Sequence, residues 1–155
     1  MQKIRYYESY DEDFSASHNQ NFRVPENYRY IRSRAASALV YGVALACSGV
    51  LCPLFLHTRI KGAKKLRKNK GAAFLYCNHT QPVGDVFIPA LAAFPNRIYT
   101  VVSPANLGIR VIGKLLPYLG ALPLPDSFKG MRDFSSAMAK RVEQGNVITV
   151  YPEAH

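Results

Sequence analysis

Hydrophobic and polar positions divide the chain into three parts. Residues 1–22 are rich in Tyr, Ser and Asp with no period, which reads as a flexible polar leader. Residues 35–56 run 22 positions without a charge. As a straight helix that is about 33 Å, long enough to cross a bilayer core. From residue 71 onward, short apolar or β-branched runs alternate with longer stretches at helical spacing. Segments 72–77, 97–102, 120–124 and 146–151 predict strands; 86–94, 107–119 and 127–144 predict helices. The last helix is the clearest, with Phe128, Met131, Phe134, Met138 and Val142 on one stripe, Asp126 or Ser127 as its cap, and Gly145 as its stop. In 107–119 the stripe of Leu107, Val111, Ile112, Leu115, Leu116 and Leu119 is weakened by Gly108, Gly113 and Pro117.

Strands alternating with helices predict an α/β domain, a mostly parallel sheet flanked by helices. An N-terminal membrane-associated helical segment at 23–58 precedes it, and the α/β part occupies 59–155. In such sheets, ligands sit beyond the carboxyl ends of the strands.

The apolar segment contains Ser37, Gly42, Ser48, Gly49 and Pro53, and the last two are places where a helix would break. Arg23, Arg29, Arg32 and Arg34 precede it among Tyr28 and Tyr30, a mixture suited to a lipid headgroup region. Arg59, Lys61, Lys64, Lys65, Arg67, Lys68 and Lys70 follow it. Cations on both flanks favour a re-entrant or interfacial hairpin, both ends on the cytoplasmic face, over a simple span. A buried helix of a soluble core is the competing reading. The first 22 residues are polar and acidic, unlike a signal peptide.

Charge sharpens this picture. The net charge is +10, and Lys3 and Arg5 are outweighed by Glu8, Asp11, Glu12 and Asp13 in the leader, so the excess of cations lies in the body. A basic body attracts phosphates in anionic lipid, in a phosphorylated substrate or in nucleic acid. No zinc pattern or RNA-binding signature supports nucleic acid. Cys47, Cys52 and Cys77 form no Cys-x-x-Cys pair and read as small buried thiols rather than a disulfide or metal site.

Candidate chemistry sits where the first predicted strand ends. Asn78-His79 follows it directly, and Asp85 stands at or near the N-cap of the next helix, with Pro89 in its first turn or so. A neutral imidazole held by a carboxylate can take a proton from an alcohol and pass it on. Asp85 either makes that pair or only caps its helix. No Gly-x-Ser-x-Gly is present, so a substrate hydroxyl is the natural nucleophile and acyl transfer to an alcohol the natural reaction. Glu153 follows the last predicted strand in the same way.

Asn78-His79 with Asp85, then Gly120-Ala121-Leu122-Pro123-Leu124, then Val150-Tyr151-Pro152-Glu153, resembles the glycerolphosphate and lysophosphatidic acid acyltransferase family. The likeness covers about residues 59–155. It implies His79 as general base on the acceptor hydroxyl and Asp85 as its orienting partner. Glu153, Pro152 and Gly120 would line the acceptor site. The donor would be a fatty acyl thioester of coenzyme A or acyl carrier protein, with no metal and no further cofactor. The partners implied are the anionic membrane surface and that donor, and phospholipid biosynthesis is the setting. The family has four residues between His and Asp; here there are five. Pro125-Asp126 stands where the family has its phosphate-binding arginine, and Lys129 or Arg132, a turn into the next helix, could substitute. The family domain continues past the position of His155, which makes 59–155 the N-terminal part of such a domain. Two other classes remain open: a non-catalytic membrane-surface protein that keeps the fold, and a basic nucleic-acid binder.

Overall fold

Short runs of β-branched and aromatic residues build one parallel sheet. In the computed structural model, residues 22–26, 28–30, 33–78 and 84–152 are described. Among them lie strands β1 (Ala73–Tyr76), β2 (Ile98–Val102), β3 (Ala121–Pro123) and β4 (Val147–Val150). The helices are α1 (Arg34–Leu54), α2 (Lys64–Lys68), α3 (Gly84–Ala93), α4 (Ile112–Leu119) and α5 (Phe128–Glu143). The sheet order is β1-β4-β2-β3, all parallel, and Val147 is level with both Ala73 and Ile98.

Side chains alternate across the pleat. Ile98, Val147, Ala73 and Leu75 face Ala90 and Ala93 of α3 and Tyr41 and Leu45 of α1. Tyr99, Val101 and Leu122 face Phe134 and Met138 of α5, together with Tyr30. The chain steps from β1 over α3 to β2, then over α4 to β3, moving one way across the sheet. It then reverses to insert β4 between β1 and β2. A right-handed crossover that reverses must return over the opposite face, and α5 does so.

α1 is the middle helix of the first layer. It packs on both α3 and α4. Ser37, Ser48 and Cys52 are buried, with Tyr41 and Leu45 between them, so one stripe faces inward along the helix. The Ser37 hydroxyl donates to the Tyr118 carbonyl at 2.6 Å and accepts from the Arg97 guanidinium, which also donates to that carbonyl at 2.8 Å. Arg97 lies over the Tyr41 ring at 4.7 Å, and the Tyr41 hydroxyl accepts from the Ile98 N–H at 3.3 Å. The outward stripe is as apolar as the inward one: Leu39 is 70% exposed and Phe55 71%, and Val43, Val50 and Leu54 are exposed with them.

Several expectations change here. The apolar segment forms one unbroken helix, Arg34–Leu54, not a hairpin. Pro53 falls in its last turn, where it removes only the N–H that would reach Gly49. His57, in the left-handed region (φ 48°), ends the turn beyond it, and the Thr58 N–H returns to the Cys52 carbonyl at 3.0 Å. Tyr28 and Tyr30 are half-buried by protein: Tyr30 meets Phe134 edge-on at 6.0 Å, and its hydroxyl donates to the Pro123 carbonyl at 3.1 Å. Cys52 is buried as expected, but Cys47 is exposed. The basic run contains α2, whose Arg67 donates to the carbonyls of Leu91 and Ala92 at the end of α3. Ser127, not Asp126, caps α5 by accepting from the Gly130 N–H, and Asp126 pairs with Arg23 at the surface.

The 107–119 stretch divides into a 3₁₀ turn at Pro104–Gly108 and α4, with Ile109 extended between them. A Cβ on Gly113 would lie 2.1 Å from the Leu107 carbonyl oxygen. The glycine that lowers helix propensity is what lets α4 press back on the turn before it. Residues 1–21 of the leader, and residues 27, 31 and 32, lie outside the described residues.

Gly113→Ala should therefore destabilise the fold at or above the upper end of the ~1–3 kcal/mol typical of overpacking, read from urea unfolding. A second expectation concerns Tyr30. Its hydroxyl is pushed up to about 12, first by burial and then by Asp133. The unfolded chain loses this proton near the ordinary tyrosine value of about 10. Between those values it binds fewer protons than the folded chain, so stability falls as pH rises; below that window the contribution is fully present. The thermal midpoint of Tyr30→Phe should fall less between pH 9 and 11 than that of the wild type.

Candidate functional site

The insertion of β4 beside β1 determines what meets at the carboxyl end of the sheet. The strands stay paired past their last residues, with the Cys77 N–H donating to the Val150 carbonyl at 3.0 Å. Residues 77–78 and 151–152 thus leave the sheet side by side. α3 begins above them, and Asp85, its second residue, is 8% exposed.

A proline explains how α3 is tied to the sheet. Pro89 has no N–H, so the Asp85 carbonyl four residues earlier lacks its intrahelical donor. The Tyr151 hydroxyl donates to that carbonyl instead. Tyr151 also hydrogen-bonds the Cys77 thiol. Burial, with the nearby Asp85 charge adding to it, pushes the Tyr151 hydroxyl far above the phenol range. Burial likewise pushes the Cys77 thiol up, partly offset by its bond to Tyr151. Both groups are therefore protonated near neutral pH, and Cys77 is not poised as a thiolate nucleophile. Two residues before Tyr151, Thr149 is fully buried on the α3 side, its hydroxyl without a hydrogen-bond partner among the described residues.

The expected site residues are distributed as follows. Asp85 is buried at this end of the sheet. Pro152 is exposed in the turn after β4. His79 and Glu153, the next residues beyond the two described strand ends, lie outside the described residues. Gly120 does not join the group. It sits at the amino end of β3 as the left-handed C-cap of α4 (φ 95°), where a Cβ would come 2.8 Å from the Ile98 carbonyl oxygen. Its role is in the backbone. Lys129 and Arg132 are exposed at the start of α5, at the carboxyl end of β3, two strands away from β4.

Tyr151, Cys77 and Thr149 were not among the site residues expected from the sequence. The available signal was Pro89, four residues after Asp85, which announces a carbonyl in need of a donor. No protein-family model matches the chain, and neither a curated protein nor a solved structure matches it.

Tyr151→Phe should cost about 1 kcal/mol, lowering the thermal midpoint by roughly 2–4 °C. Pro89→Ala restores an N–H toward the Asp85 carbonyl. In that background the cost of Tyr151→Phe should shrink by at least ~0.5 kcal/mol in a double-mutant cycle.

Proposed function

We propose that the chain is a membrane-surface O-acyltransferase of the glycerolphosphate and lysophosphatidic acid type. It would move a fatty acyl group from a coenzyme A or acyl carrier protein thioester to a hydroxyl of a glycerol-phosphate or lysophospholipid acceptor. The observation that carries this reading is the convergence of β1, β4 and Asp85. Two motif segments far apart in sequence leave the sheet as neighbours, under a helix start that holds a buried carboxylate.

In this reading the acceptor hydroxyl attacks the thioester carbonyl while the His79 imidazole takes its proton. Asp85 sets the imidazole tautomer and stabilises the imidazolium. The tetrahedral intermediate collapses, the C–S bond breaks, and the leaving thiolate takes the proton from the imidazolium. Glu153 and Pro152 border the acceptor. Lys129 and Arg132 are the cations available for its phosphate from the start of α5. Tyr151 is a positioning residue that holds the turn of α3 carrying Asp85.

Membrane attachment is proposed as in-plane rather than spanning. α1 is packed against α3 and α4 along its inward stripe, so it cannot cross a bilayer without drawing the sheet in with it. Its outward stripe of Leu39, Val43, Val50 and Leu54 is free to enter one leaflet, and the basic run at 59–70 would meet anionic headgroups. The extra residue between His79 and Asp85 favours a second reading, the same surface without the chemistry.

His79→Ala decides between the two. Acyl transfer should fall about 10²–10⁴-fold with the circular dichroism unchanged, and full retention of transfer would overturn the enzyme reading. For the membrane, flotation with vesicles containing anionic lipid should be salt-sensitive. Leu39→Asp with Val43→Asp should weaken it roughly tenfold or more, since each side chain forfeits most of its apolar burial.

A further inference from the structure

Two glycines in the middle of α1 are not required by its packing. A Cβ on Gly42 or Gly49 would meet no heavy atom within 4 Å, and both lie in regular helix. Mid-helix glycine destabilises relative to alanine, so these positions weaken α1 without relieving any contact. Gly113 and Gly120, by contrast, each answer a close approach of backbone.

What the two glycines keep open is a groove between α1 and α3 of about 680 Å³. Gly42, Ala46 and Gly49 line its α1 side, Leu91 and Phe94 its α3 side, and Ile60 belongs to it as well. That volume falls within the ~300–1,000 Å³ range of small-molecule sites. The lining is apolar apart from Thr58 and Arg67, and the Arg67 guanidinium is already engaged by the Leu91 and Ala92 carbonyls. Ile60 and Arg67 belong to the basic run, so one wall continues into Lys61, Lys64, Lys65 and Lys68, with no acidic residue between 59 and 70. An apolar slot beside a purely cationic segment is complementary to an amphiphile with an anionic head.

We propose that this groove holds one acyl chain of an anionic lipid, with its phosphate against residues 61–68. The site is separate from Asp85. Leu91 follows it by six residues along α3, roughly 9 Å at the helical rise, and Phe94 lies just past the end of that helix. The inference does not rest on the acyltransferase reading.

The test titrates the full chain calorimetrically, without acyl donor, using three probes. These are a single-chain alkyl phosphate below its micelle concentration, the alkylphosphocholine of the same chain length, and inorganic phosphate. Neither amphiphile has an alcohol to be acylated, so their binding is read apart from the acceptor site of the catalytic reading. The alkyl phosphate should bind at least tenfold more tightly than the zwitterionic amphiphile, and inorganic phosphate alone should not saturate. Gly42→Leu with Gly49→Leu fills the groove with good helix formers. It should weaken the alkyl phosphate at least tenfold while the thermal midpoint holds or rises. If the leucine pair lowers that midpoint, Gly42→Ala with Gly49→Ala replaces it and should raise the midpoint while weakening binding several-fold. Unchanged binding in the groove variants would overturn the proposal, as would equal affinity for the two amphiphiles or inorganic phosphate binding as tightly as the alkyl phosphate. Light scattering that showed a wild-type dimer split by the leucine pair would overturn it in favour of a second copy as occupant.

Discussion

The insertion of β4 between β1 and β2 is the constraint on which the rest of the structure depends. It gives β1 its partner, so without it the sheet would lose its first strand. It forces the last crossover onto the opposite face, which is why α5, rather than another helix of the first layer, covers Tyr99 and Leu122. It also brings Cys77 and Tyr151 together at the carboxyl end of the sheet. No local propensity encodes this pairing; it is made only when the last strand enters the sheet.

The first layer shows the cost of that arrangement. Two crossovers lie there, α3 and α4, with β2 between them, and α1 covers β2. A helix in this position must be apolar inward, yet α1 is apolar outward too. Its buried positions are small or weakly polar, Ser37, Ser48 and Cys52, because the space over the sheet is tight and the serine hydroxyls find carbonyls to bond, Tyr118 for Ser37 and Ala44 for Ser48. Tyr41 and Leu45 face the sheet with them, but the large side chains of Leu39, Val43, Val50 and Leu54 point away. Water disfavours such an orientation, and a lipid surface removes the penalty. This distribution, more than the length of the helix, is what argues for a membrane surface.

Much of the fold was legible because its periods were clean. The strands at 72–77, 97–102, 120–124 and 146–151 each form within one or two residues of expectation, and the 127–144 helix ends at the glycine that marks it. The 107–119 stretch misled because its apolar spacing is helical throughout, while the break at Ile109 is set by the contact of Gly113 with the Leu107 carbonyl, a relation no period reports. The motif glycine Gly120 carries a requirement its letter does not announce: its left-handed φ and its closeness to the Ile98 carbonyl give it a backbone task at the amino end of β3. Arg67 looked like one cation among seven, yet it caps α3. The placement of Asp85 was readable from a strand followed by a helix start. The bond from Tyr151 was not, because it depends on strand order.

α3 links these observations. Near its start, the Asp85 carbonyl that Pro89 leaves without a helical donor is taken by Tyr151 from β4. At its end, the carbonyls of Leu91 and Ala92 are taken by Arg67 from α2. Both clamps act on backbone, so they fix the helix axis whatever its side chains do. Their consequences differ at the two ends. At the first, the clamp sets the height of the buried Asp85 side chain over the ends of β1 and β4, the backbone support that the proposed proton transfer would need. At the second, it holds Leu91 and Phe94 as a fixed wall facing Gly42 and Gly49, so the groove stays open without an occupant to prop it. A helix of ten residues would be marginal in water alone. Held from both ends, it can carry a buried carboxylate at one and an apolar wall at the other.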